Sequence, residues 1–169
     1  MFFLKNIIGI VVNFNVKAGK IFSWLLLLMV ILTFVIVVLR YLFNIGFIWM
    51  QELVRFFYSA VFLICAAYTL AEDSHVRVDI FYSKLSDKGK SIVNILGSFI
   101  FLIPVCIITF YYSFNYVINS WAQLEGSLEE RGLHAVFIMK SFIWLFSFML
   151  LGQGVAIIVN GINKIWRQQ

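Results

Sequence analysis

The sequence predicts an all-α integral membrane protein, with four transmembrane helices, both termini cytoplasmic and an N-terminal interfacial amphipathic helix. Three observations carry this reading. Of 169 residues, 63% are hydrophobic and only 12% charged, whereas a soluble domain is about half apolar and about a quarter charged. The apolar residues fall into four runs, at 21–39, 52–71, 92–118 and 141–162, each near the roughly 20 residues that cross a bilayer. Nine Lys and Arg lie in the N-terminal segment, the second connection and the tail, against four in the first and third connections. The richer set is expected on the cytoplasmic face. The four runs leave a single membrane domain, 1–169, with no room for a soluble catalytic domain beside them.

In the first 20 residues Phe2, Phe3, Ile7, Ile8, Val11 and Val12 recur at helical spacing among asparagines and lysines, as in a helix lying along a membrane surface. There is no small-residue cleavage site before Lys17 and Lys20, so this is not read as a removed signal peptide. The first span, 21–39, carries no charge and is flanked by Lys20 and Arg40, with Trp24 and Tyr41 as interfacial aromatics. Asn44-Ile45-Gly46 marks a turn. The second span opens on Trp49, Glu52 and Arg55; the last two, three residues apart, share a helix face and are expected to pair. A charged second connection follows, in which Ser86-Asp87 is a cap signal for the third helix. Pro104, the only proline, falls inside the third run and is read as a kink, because it removes a backbone donor. The third connection holds Glu125, Glu129, Glu130, Arg131 and Lys140, punctuated by Gly126 and Gly132. The fourth span contains Gly152-Gln153-Gly154, where the glycines allow close helix approach.

Chemistry-bearing patterns are scarce. No nucleophile–base pair, glycine-rich phosphate loop or metal-ligand spacing occurs, and no basic run is dense enough for nucleic acid. Cys65 and Cys106 lie within apolar runs and read as buried small hydrophobes. His75 and His134 belong to connections on opposite faces, so they cannot grip one haem between helices. No ionisable residue lies deep in a span, and such residues are the usual mark of ion pathways. This chain alone is therefore not expected to move an ion or a charged solute. Glu52 and Arg55 are either an ion pair that orients a helix or a contact to a partner subunit. The outward glutamates are either a solvated cap or a meeting point for an extracytoplasmic partner. A membrane-anchor subunit of a redox enzyme is the alternative reading, and a self-sufficient channel a third.

Three groups of residues carry a resemblance. Arg40-Tyr41 ends the first span, Trp49-x-x-Glu52-Leu53-x-Arg55 opens the second, and His75-Val76-Arg77-Val78-Asp79 follows it. In type, order and spacing these resemble the small membrane subunit of tripartite ATP-independent periplasmic (TRAP) transporters, along the whole chain and more weakly in its second half. The run EGSLEERGL followed by Lys140 is similar to the mannitol/chloroaromatic-type sub-branch, except that Arg131 and His134 stand where that branch often has glycine and proline. The resemblance implies a non-catalytic subunit in the bacterial inner membrane, partnered by a large membrane subunit and a periplasmic substrate-binding protein that captures an organic acid. It implies sodium at the large subunit only and no cofactor here. Arg40, Tyr41, Trp49, Glu52, Arg55, His75, Arg77 and Asp79 become candidates for subunit contact or membrane anchoring. Glu129, Arg131 and Lys140 become candidates for docking the binding protein.

Overall fold

The computed structural model describes residues 2–75 and 82–166. Arg77 and Asp79 lie outside the described residues. All regular structure in the described residues is helical. Helix α1 spans Phe2–Leu42, α2 Ile48–Ala71 and α3 Asp87–Gly97; a π-helical turn, Ser98–Leu102, joins α3 to α4, Ile103–Ala122, and α5 spans Val136–Trp166. Among the described residues, four stretches are long and apolar enough to cross a membrane: Asn6–Leu42, Ile48–Ala71, Asp87–Ala122 and Val136–Trp166.

The N-terminal stretch and the first span form one uninterrupted helix of 41 residues. At 1.5 Å per residue it is about 60 Å long, twice a hydrocarbon core of roughly 30 Å. Nothing between residues 6 and 20 breaks it, since proline is absent there and the lone Gly9 and Gly19 are tolerated. Its early part packs against protein. Ile8 and Asn15 are buried, and Asn15 donates to the Met149 carbonyl (3.3 Å) and to Gln153 Oε1 (3.1 Å) on α5. A bond between two side-chain amides supplies partners that lipid cannot.

Pro104 explains the π-helical turn. It has no N–H to give the Ile100 carbonyl, and its ring crowds the preceding turn. The backbone responds by widening one turn, in which Ile103 N–H donates to the Ser98 carbonyl five residues back. At the start of α3, Ser86 Oγ accepts from Gly89 N–H at 3.2 Å, the N-cap its sequence position suggests. The ends of α2 and α4 close with paired back-bonds: Ser74 N–H to Thr69 O with Asp73 N–H to Leu70 O, and Glu125 N–H to Ser120 O with Leu124 N–H to Trp121 O. Asp73 and Leu124 take positive φ there, as does Asn44 after α1, the left-handed conformation that helix-ending motifs require.

The helices form a row in which α2 lies between α1 and α5, and α5 between α2 and α4. The core sits where Ala60, Ile64 and Ala67 of α2 meet Met149 and Leu150 of α5 and Cys106 of α4. Ala18, Phe22 and Leu25 of α1 pack on its edge. Small residues at 60 and 67 let the two backbones approach, the usual basis of helix association in lipid. Further along, Phe110 of α4 packs against Phe148 and Trp144 of α5. The outer members of the row leave broad apolar faces uncovered: Leu28, Ile31, Phe34 and Val35 on α1, Phe101, Val105 and Ile108 along π-turn and α4.

Candidate functional site

The end of the row where α1 passes to α2, and α4 to α5, concentrates the polar chemistry. Glu52 stands one turn into α2 and is buried, 6% exposed. Its carboxylate collects three donors. Ser127 Oγ–H reaches Oε1 at 2.5 Å, Leu133 N–H reaches Oε2 at 2.6 Å, and Arg55 Nη2 lies 3.1 Å from Oε1. The Arg55 side chain is 69% exposed, so it contributes little beside the other two. Two of the three partners come from the connection between α4 and α5. The carboxylate is thus an anchor that ties that connection to the start of α2.

The connection is shaped around the anchor. Ser127 N–H donates to the Leu133 carbonyl and Gly132 N–H to the Glu129 carbonyl, closing a compact turn. Ser127 Oγ also accepts from Glu129 N–H. A Cβ at Gly132 would collide with the Ser127 side chain and the Glu52 carboxylate, so only glycine fits that approach. A Cβ at Gly126 would meet the His134 ring. Folded this way, the connection turns Leu128, Glu129, Glu130 and Arg131 outward, with Leu128 fully exposed.

A second pair fixes the flank. Lys140, in the first turns of α5, is buried; its ammonium meets Glu125 Oε2 at 2.5 Å and sits 3.8 Å from the centroid of the Tyr116 ring. Beside it Trp121 Nε1–H donates to Ser141 Oγ at 2.7 Å. The Lys140 ammonium beside Glu125 holds that carboxyl below its ordinary value of 4.5. A carboxyl depressed by folding stabilises the fold fully above its unfolded value and stops doing so as pH falls through the lower folded one. Hydrogen-exchange protection of residues 123–135 is therefore expected to be flat from neutral pH down to 4.5 and to fall only below it. Lys140→Met should weaken that acid limb. An acid limb unchanged by the substitution would assign it to another group.

Eight of the sequence-derived candidates with described positions meet at this end. Glu52, Arg55 and Lys140 are in the networks above. Trp49 is exposed and tilted against Phe47 at 6.3 Å, Arg40 and Tyr41 are exposed at the end of α1, and Glu129 and Arg131 crown the outward turn. His75 is exposed at the opposite end, past α2, and His134 lies in the turn beside Gly126, so the two histidines lie at opposite ends of the row. Sequence reasoning missed Ser127 as the partner of Glu52 and Tyr116 as the seat of Lys140. Gly126 and Gly132 were the signal that this connection is tightly built.

The arrangement holds and presents a surface; a carboxylate satisfied by three donors is poorly placed to act as a base. Comparison with protein families agrees with that kind of role. The family model for tripartite ATP-independent periplasmic transporters, DctQ component, matches residues 29–169. No curated protein matches the chain, and no solved structure matches it. The match covers most of the chain, including every element of the site, and the chain belongs to the DctQ family, the small membrane component of TRAP transporters.

Proposed function

We propose that this multi-pass inner-membrane subunit works without chemistry of its own, in sodium-coupled uptake of an organic acid. In this reading it scaffolds the large TRAP membrane subunit, which carries the substrate and sodium sites. Both termini face the cytoplasm, as the lysine and arginine distribution suggests, so the Glu52-anchored turn faces the periplasm and receives the substrate-binding protein. One observation supports this most directly: a buried carboxylate ties down a turn whose tip is exposed. Ordering a loop before its partner arrives removes an entropic cost of binding. The tip pairs one exposed apolar side chain, Leu128, with Glu129, Glu130 and Arg131, the composition of a small anchor with a charged rim. The large subunit would cover the outer face of α1, whose most apolar window has no residue buried within the chain.

The test separates docking from assembly. Leu128→Asp combined with Glu129→Lys should reduce uptake about tenfold, the effect of losing roughly 1.4 kcal/mol at the contact. The same protein should still co-purify with the large subunit. A Leu128→Cys variant should be labelled from the periplasmic side by a membrane-impermeant maleimide. Normal uptake by the double variant would remove the docking role, and labelling from the cytoplasmic side only would reverse the orientation.

A further inference from the structure

At the opposite end of the row, where α1 begins and α5 ends, a cleft of about 1200 Å³ opens between three walls. It exceeds the roughly 300–1,000 Å³ of ordinary small-molecule pockets. One wall is a single face of α5: Gln153, Ile157, Asn160 and Lys164 recur at three- and four-residue spacing. The second is a single face of α3, the π-helical turn and α4, running from Lys90 through Asn94 and Phe101 to Val105. The third is Leu70 and Ala71 at the end of α2, with Val12 of α1.

The lining is graded along its length. Lys90, Asn94 and Lys164 line it at the start of α3 and the end of α5, and Leu102, Val105, Ile157 and Gln153 line it further along those walls, toward the middle of the helices. The cationic groups are loosely engaged. Lys164 lies 3.8 Å from Asp87 with both side chains more than half exposed, and Lys90 lies 5.7 Å from the Tyr82 ring centroid. Asn94 and Tyr82 bond each other. Asp73 also borders the mouth, and Lys84 and Lys88 nearby keep the local balance basic. From Lys164 to Gln153 the cleft runs 11 residues of helix, about 16 Å, close to one leaflet of a hydrocarbon core of roughly 30 Å. Phe101 and Val105 are more than half exposed, so the cleft communicates sideways with the surrounding hydrocarbon.

A basic mouth, an apolar shaft one leaflet deep and a lateral opening together fit one kind of molecule. We propose that the cleft seats an anionic phospholipid of the leaflet at this end of the row. Its phosphate lies between Lys90 and Lys164, and its acyl chains run along Leu102, Val105 and Ile157. Basic pockets between transmembrane helices are where such headgroups bind. The proposal needs only that the chain is embedded in a bilayer, so it stands apart from the transport reading.

Gly97 gives a clean test. It lines the cleft, its backbone is helical, and a Cβ there meets nothing within 4 Å. Gly97→Phe puts a ring into the middle of the cleft from a position where the added Cβ meets no neighbour. The subunit, co-purified with its large partner in mild detergent, is examined by native mass spectrometry with added phosphatidylglycerol or phosphatidylcholine. The wild type should retain phosphatidylglycerol preferentially. Lys90→Gln and Lys164→Gln should each weaken retention about fivefold, and Gly97→Phe should abolish it. Inorganic phosphate in excess should not displace the lipid. Equal retention of the two lipids, unchanged retention in Gly97→Phe, or displacement by phosphate alone would each overturn the proposal. So would crosslinking of Gly97→Cys to the large subunit, which would make that subunit the occupant.

Discussion

Glu52→Ala is expected to release the turn between α4 and α5 and to lower uptake at least about tenfold, while Arg55→Ala is nearly silent. The reasoning is local. Removing the carboxylate leaves Leu133 N–H and Ser127 Oγ–H without their acceptor. A part-buried donor left unsatisfied costs about 1–3 kcal/mol, and bonds to a charged acceptor are the stronger kind. Together the two losses come to about 2–6 kcal/mol, enough to shift a folded turn into a population that is mostly open. Arg55 is largely in contact with solvent, and its ion pair is worth less than about 1 kcal/mol. Glu52→Gln keeps one carbonyl oxygen and should fall between the two. Hydrogen exchange at residues 127–133 reads the turn directly, and uptake with the binding protein present reads its consequence. Were Arg55→Ala the damaging change and Glu52→Ala harmless, the pair would be a contact to another subunit through its exposed guanidinium, and the anchoring role would fall.

What the sequence could and could not disclose follows from the range of each interaction. Hydropathy and charge distribution are sums over many residues, so four spans were legible, with α2 beginning near Trp49 and the third helix capped at Ser86. The pairing of Glu52 with Arg55 was legible because three residues on a helix fix the geometry. Its bonds to Ser127 and Leu133 span 75 and 81 positions, and no local pattern encodes them. The same holds for Asn15 and Gln153, separated by 138 positions. An amphipathic N-terminal segment has one periodicity whether it lies on a membrane or packs on a neighbouring helix. That is why its continuation into the first span, and its burial against α5, needed three-dimensional structure. Lys140 looked from its charge like a surface residue of the outward loop; Glu125 and Tyr116 turn it inward. Pro104 announced a disturbance but not its form, since a proline kink can be resolved by bending or, as here, by a wide turn at Ser98–Leu102.

The contact most exposed to failure is the one between α1 and α2. A Cβ on Gly19 would overlap severely with the Cβ and Cγ of Tyr68, and the Gly19 carbonyl lies 3.7 Å from Cys65 Sγ. The Tyr68 Cβ is fixed to the α2 backbone, so no rotamer change clears the space; the helices themselves must separate. Inserting bulk into a packed contact typically costs about 1–3 kcal/mol. In lipid no hydrophobic force pushes the helices back together, because association rests on close packing. Gly19→Leu is therefore expected to destabilise the subunit by about 3 kcal/mol and to lower its melting temperature by several degrees. Separation there would also pull Asn15 away from Gln153, four residues along α1. Gly9→Ala is the control in the same helix. Nothing lies within 4 Å of a Cβ at that position, and the gain in helix propensity should leave stability unchanged or raised by up to about 1 kcal/mol. Gly19→Leu must destabilise and Gly9→Ala must not, if the close approach at Gly19, and not helix propensity, governs how α1 joins the row. Tyr68→Gly placed beside Gly19→Ala should recover part of the loss, since it removes both the Cβ and the Cγ that the new methyl meets. Strict additivity of the two changes would place the damage elsewhere, and α1 would then be held by its contact with α5 rather than by α2.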